Sequence, residues 1–253
     1  MTRLSLKLLL ALWVMTNVAL AETDQMAALS KTAAAGDAVA QNNLGERYAN
    51  GDGLPKDAQE ALNWWRKAAE QGNKYAQYNL GVAYADGFGV KSDVTAAVVW
   101  WRKAAEQGQP LAQTNLARFC YLGIGTPKDV SQAMSWWRKA AAQGDSLAQS
   151  SLGAIYAKGS GVPKNTPEAL KWYRMAADQG DVDAQFRLGL LYKLGDGIPK
   201  DVVQASIWFG IAGSRGHKEA ERNLDLLVRE MTAEQKAESM KVAREIAERP
   251  RKQ

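Results

Sequence analysis

Two side chains in this sequence could do chemistry on their own, and each occurs once. Cys120 could supply a thiolate nucleophile or a metal ligand, and His217 could act as a general base. A single cysteine excludes an internal disulfide framework, and a single histidine removes the triads and most metal sites that need two such groups. Five Gly-x-Gly loops, Gly51-Asp52-Gly53, Gly87-Phe88-Gly89, Gly123-Ile124-Gly125, Gly159-Ser160-Gly161 and Gly195-Asp196-Gly197, could cradle phosphate, with Asp52 or Asp196 holding calcium. No Gly-Lys-Ser/Thr follows any of them, and no closely spaced acidic series accompanies them. Asp57 with Glu60, and Asp201, could be offered as acid–base groups, but equivalents recur along the chain. A catalytic residue appears once, whereas a capping residue appears in every unit. The sequence therefore assigns no catalytic residue, no metal ligand and no cofactor, and the chain is expected not to be an enzyme.

The elements that would position these groups are themselves periodic. Glycine stands at Gly36, Gly72, Gly108, Gly144, Gly180 and Gly216, a spacing of 36 without insertion. A period of this size in a helical pattern marks a two-helix unit that must stack on its neighbours to bury its apolar face. The first helix of each unit carries a stripe, Ala40-Leu44-Gly45-Tyr48, then Ala76-Leu80-Gly81-Tyr84, Ala112-Leu116-Ala117-Cys120, Ala148-Leu152-Gly153-Tyr156 and Ala184-Leu188-Gly189-Tyr192. Gly or Ala sits where a neighbouring helix must come close, and Cys120 takes the place of a tyrosine, which predicts a buried thiol. The second helix repeats alanines around aromatic pairs: Trp64-Trp65, Trp100-Trp101, Trp136-Trp137, Trp172-Tyr173 and Trp208-Phe209. Large rings against alanines suit close helix packing.

Between the helices, the first glycine of each loop suits a left-handed helix end, and Pro55, Pro127, Pro163 and Pro199 delay the restart. Asp57, Asp93, Asp129, Asn165 and Asp201 then stand at the N-cap of the second helix, with Glu60, Gln132, Glu168 and Gln204 three residues on. His217 reads as a surface or helix-start residue. Hydrophobic residues make up 46% and charged residues 23%, which is ordinary for a folded protein. Lys and Arg alternate with Asp and Glu and form no run that would neutralise phosphates, which argues against nucleic acid despite a net charge of +5.

Taken together, A-x-x-x-L-G-x-x-Y, G-x-G, Asp and A-x-x-W-x-x-x-A-A-x-x-G resemble the Sel-one-like repeat, a relative of the tetratricopeptide repeat. The resemblance covers residues 36–216 and recurs five times in register. It implies an all-α fold, a right-handed α-solenoid of five 36-residue helix-turn-helix repeats with a C-terminal capping helix pair. It also implies adaptor work: exported bacterial members are regulators, envelope-complex components or host-contact proteins. Members described as binding or hydrolysing β-lactams are cysteine-rich, and this chain lacks their paired cysteines.

By analogy with tetratricopeptide arrays, the concave wall is lined by first-helix positions two before, two after and five or six after the Leu-Gly pair. Tyr75, Tyr78, Val82, Arg118, Tyr121, Phe186, Leu190 and Lys193 are the candidate partner-binding residues, since aromatic and arginine anchors dominate interface energetics. They are read as an exposed groove for a protein or peptide with apolar and some acidic character.

The expected organisation follows. Residues 1–21 read as a secretory signal peptide, with Arg3, an apolar stretch from Leu8 to Val14, and Ala19-Leu20-Ala21 at the cleavage point. That stretch is shorter than the ~20 residues of a membrane span, so no span is expected after cleavage and the protein is placed in the periplasm or outside the cell. Residues 22–35 form an N-terminal capping segment in which Met26, Ala27 and Leu29 cover the first unit. The repeats occupy 36–71, 72–107, 108–143, 144–179 and 180–216. Residues 217–253 form capping helices, the last opening at Thr232 and Gln235 and burying Ala237, Met240, Ala243 and Ile246.

Overall fold

The structure, a computed structural model, describes residues 24–247. The signal-peptide segment, residues 1–21, lies outside the described residues. Within them the protein is an all-α solenoid of thirteen helices with no strand. A leading helix α1 spans 24–34. Five first-helix and second-helix pairs follow: α2 (Ala38–Asn50) with α3 (Ala58–Glu70), α4 (Lys74–Asp86) with α5 (Val94–Glu106), α6 (Pro110–Leu122) with α7 (Val130–Ala142), α8 (Ser146–Lys158) with α9 (Thr166–Asp178), and α10 (Val182–Leu194) with α11 (Val202–Gly213). The described chain closes with α12 (Lys218–Glu230) and α13 (Ala233–Ala247), both packed on α11. It divides into two compact units. One runs to Ala112 and includes Ile124–Thr126; the other comprises Gln113–Gly123 and the chain from Pro127.

The helix ends lie where the loop residues place them. Gly51 ends α2 with φ 84°, and its N–H donates to the Arg47 carbonyl at 2.8 Å. That backbone conformation is nearly free for glycine alone. The second glycine of a loop serves a different need: a Cβ on Gly89 would lie 2.7 Å from the Ala58 carbonyl oxygen at the start of α3. Asp57 then starts α3, its Oδ1 accepting from the N–H groups of Gln59 and Glu60 at 2.9 and 3.0 Å. Asp93, Asp129, Asn165 and Asp201 do the same for the later second helices.

In the first unit the core is built by aromatic rings lying on glycines. A Cβ on Gly45 would fall 2.6 Å from the Trp65 indole, and one on Gly81 2.3 Å from that of Trp101. In the second unit Gly153 takes Tyr173 and Gly189 takes Phe209 in the same way. Beside these rings runs a buried polar ladder. Gln41 and Gln77 donate to the carbonyls of Ala33 and Ala69 at 3.1 and 3.2 Å, and accept from Gln71 and Gln107 at 2.7 and 2.8 Å. In the second unit Gln143 donates to Gln113 at 2.9 Å and Gln179 to Gln149 at 2.8 Å. Each rung ties a first helix to the end of the second helix of its own pair and satisfies an amide that burial would otherwise penalise.

The ends depart from expectation in two details. Met26 and Leu29 pack on the cluster of Ala33, Ala40 and Leu44, while Ala27 faces solvent. On α13 the stripe expected through Ala237 and Met240 is not the buried one: Met240 is 63% exposed, and the face toward α11 carries Ser239, Val242 and Ala243. The Ser206 hydroxyl donates to that of Ser239 at 2.7 Å, and satisfying this buried pair sets the rotation of the helix. The side chain of Ile246 lies outside the described residues.

Candidate interaction surface

The first helices divide their residues between three environments. The Ala, Leu and Gly of the stripe are buried against the second helices. Asn42, Thr114 and Phe186, each two before a leucine, lie against the next first helix or its cap. In the first unit Asn42 is 4% exposed and accepts from Asn79 of α4 at 3.1 Å; in the second, Thr114 is 3% exposed and donates to Asp145 at 3.0 Å. What remains open is the column five before the leucine, Glu46 and Arg118 two after it, and the last residues of the first helices.

This arrangement sorts the candidate residues. In the first unit Tyr75 is exposed, with Lys74 Nζ 5.4 Å from its ring centroid, whereas Tyr78 and Val82 are half-buried. Val39 and Leu111 share the column of Tyr75 and are equally open. In the second unit Arg118 is exposed, its guanidinium 5.4 Å from the Phe119 ring. Tyr121 is half-buried against Trp137 at 5.7 Å between centroids, with Lys128 Nζ 5.9 Å from its ring. Leu190 packs on the C-terminal cluster, and Lys193 is half-buried and donates to Asn223 at 2.8 Å.

Phe186 is the correction. Read from the sequence as an exposed anchor, it is 5% exposed and packs between Phe209, at 5.9 Å, and His217, on which it stacks at 4.3 Å. It stands two before Leu188, in the column that faces the next first helix, here α12. The residues overlooked in the sequence are Val39 and Leu147, exposed in the column of Tyr75. The signal that could have found them was the 36-residue period applied to Tyr75 itself.

The groups with intrinsic chemistry are engaged structurally. Cys120 is fully buried, and its thiol donates to Gln132 Oε1 at 3.0 Å. His217 caps α12, its Nδ1 accepting from the Ala220 N–H at 3.2 Å, with Nε2 3.5 Å from Asp183. The Gln132 N–H, helped by the Ser131 hydroxyl, holds the Asp129 carboxyl below the usual range. Burial pushes the Tyr173 phenol up to about 12. Among the described residues no group of histidine, cysteine and carboxylate side chains could hold a metal ion, and no helix is long and apolar enough to cross a membrane.

With this geometry established, comparison with known proteins assigns the family. The Sel1 repeat matches residues 38–73, 74–109, 110–145, 146–181 and 182–217, each window opening at the first residue of a first helix. The chain belongs to the Sel1 repeat family. Such repeats are in general non-catalytic scaffolds for protein interaction. Similar solved structures include a protective antigen present in uropathogenic Escherichia coli strains with an SLR fold, at 38% identity and a TM-score of 0.76, covering 78% of this chain and 42% of that one. Another is a Sel1 repeat protein from Oxalobacter formigenes, at 34% identity and a TM-score of 0.71, covering 83% and 89%. A Sel1 repeat protein of Klebsiella pneumoniae, at 24% identity and a TM-score of 0.51 over 79% and 97% of the two chains, shares the fold. This Sel1 repeat chain thus spans less than half the length of the first relative and most of the second. No curated protein sequence matches it.

Proposed function

We propose that this Sel1 repeat protein is a non-catalytic adaptor of the bacterial envelope, exported through residues 1–21 and binding a partner protein or peptide through its first helices. The observation that carries this reading is the division of labour on those helices. The residues common to all repeats are committed to packing and capping, while the open positions vary along the array, with Val39, Tyr75 and Leu111 in one column and Glu46 and Arg118 in another. Varied aromatic and arginine side chains on a rigid helical scaffold are what specific recognition requires. The export reading rests on the basic, apolar and small-residue order of the first 21 residues.

The test is affinity capture from envelope and culture-supernatant fractions with the parent protein and a Tyr75→Ala, Arg118→Ala variant. A partner retained by the parent and lost by the variant, with unchanged far-ultraviolet circular dichroism, is the expected result. A partner held equally by both removes these columns from the site. Fractionation of expressing cells checks export, and a protein confined to the cytoplasm refutes it.

A further inference from the structure

The first helices change charge along the array. In the first unit, the columns two and six after each leucine carry the carboxylates Glu46 and Asp86 and no cation. In the second unit, over α6, α8 and α10, the same columns carry Arg118 and Lys158 and no carboxylate. The sole carboxylate in these three helices is Asp183, at the far end of α10, where it faces His217 Nε2 at 3.5 Å. Arg118 and Lys158 are both exposed, and neither pairs with a carboxylate among the described residues. Beside them, Leu122 and Leu194 are 51% and 68% exposed, which leaves two large apolar side chains open to water on a basic face.

Spacing narrows what can lie across this face. Leu122, Lys158 and Leu194 close α6, α8 and α10 one full period apart, so they form a row that reads apolar, basic, apolar. Successive first helices are stacked: Thr114 of α6 donates to Asp145 at the start of α8, and Ala154 and Ala157 of α8 pack on the cluster of Ala184 and Leu188 of α10. Stacked helices lie about 8–10 Å apart. A polyproline II segment has three residues per turn and rises about 3.1 Å per residue, so every third side chain returns to one side after about 9 Å. A β-strand alternates sides at every residue and would turn the middle side chain of such a series away. We propose that this row binds an extended segment of the partner in the polyproline II conformation, with apolar, acidic and apolar side chains at three-residue intervals. The apolar side chains seat on Leu122 and Leu194, and the carboxylate meets Lys158 in a charge-assisted hydrogen bond. Arg118, one turn before Leu122 on the same helix face, adds a second cation. The inference rests on the adaptor reading above and names the chemistry of its partner.

The probe is a fluorescein-labelled peptide, Leu-Pro-Pro-Glu-Pro-Pro-Leu, whose prolines hold the polyproline II conformation. Fluorescence anisotropy against the full chain should show saturable binding. Affinity should fall about fivefold or more with Lys158→Glu in the protein, or with lysine in place of the glutamate in the peptide, and recover when the two are combined. Moving the glutamate one place, to Leu-Pro-Glu-Pro-Pro-Pro-Leu, should weaken binding at unchanged composition and charge. Both peptide changes leave the protein untouched, so a folding defect cannot mimic the loss. No saturable binding, binding indifferent to the charge reversals, or equal binding of the shifted peptide overturns the proposal. Capture of a partner from envelope fractions beside a peptide that does not bind overturns this inference alone and leaves the adaptor reading in place.

Discussion

Replacing Arg215 with glutamine should make this protein more stable. Four glutamine rungs are complete: the side-chain carbonyls of Gln41, Gln77, Gln113 and Gln149 accept from the glutamine 30 residues on, at 2.7 to 2.9 Å. The fifth is broken. Gln185 is 1% exposed and donates to the Ala177 carbonyl at 3.0 Å, but its Oε1 has no partner, because position 215 is arginine and its Nη1 reaches the Gly180 carbonyl instead, at 3.4 Å. The turn that would carry the missing amide is in place: His217 N–H bonds the Ala212 carbonyl as Asn73 N–H bonds that of Ala68. A buried unsatisfied acceptor costs about 1–3 kcal/mol, and ordering a glutamine side chain costs about 1.5–2 kcal/mol. The net gain then reaches at most about 1 kcal/mol, or roughly 2–4 °C in Tm for a chain of this length. Thermal melts followed at 222 nm would compare the parent, Arg215→Gln and Arg215→Ala; the alanine variant removes the guanidinium without supplying an amide. If Arg215→Gln melts no higher than Arg215→Ala, the orphaned carbonyl carries no cost and the reasoning fails.

Two further outcomes can be checked on the same instrument. Gly81→Ala should destabilise by about 1–3 kcal/mol in urea titration, since its Cβ would fall 2.3 Å from the Trp101 ring; on an open helix surface the same change would stabilise by up to about 1 kcal/mol, so the sign alone decides. Tyr173, whose phenol burial raises from 10.0 to about 12, binds its proton more tightly folded than unfolded, so its contribution is complete below pH 10 and is lost as pH rises toward 12. Tyr173→Phe should flatten the decline in Tm over that window, and an unchanged slope would refute the assignment.

Much of the fold could be read from single residues because the repeat states each signal five times. Glycine at a left-handed position, aspartate at an N-cap and a ring opposite a glycine are local or near-local demands, and Gly51, Asp57 and Gly45 with Trp65 meet them as read. The glutamine ladder was equally periodic in the sequence but was passed over, because a glutamine beside an apolar stripe looks like a solvated flank. Its burial follows only when the end of a second helix closes over it. The candidate surface was less legible, for the same kind of reason. Phe186 and Tyr75 are both aromatic residues near the start of a first helix, and their difference in exposure depends on which helix stacks next.

From the sequence alone came the solenoid, its repeat length and its helix caps, all of which depend on residue type and spacing along the chain. The tertiary structure decided which columns of the first helices stay open, that Gln185 is left without a partner, and that Met240 rather than Ser239 meets solvent. Those outcomes turn on packing between helices 30 or more residues apart, where the rotation of one helix by a single position exchanges a buried face for an exposed one.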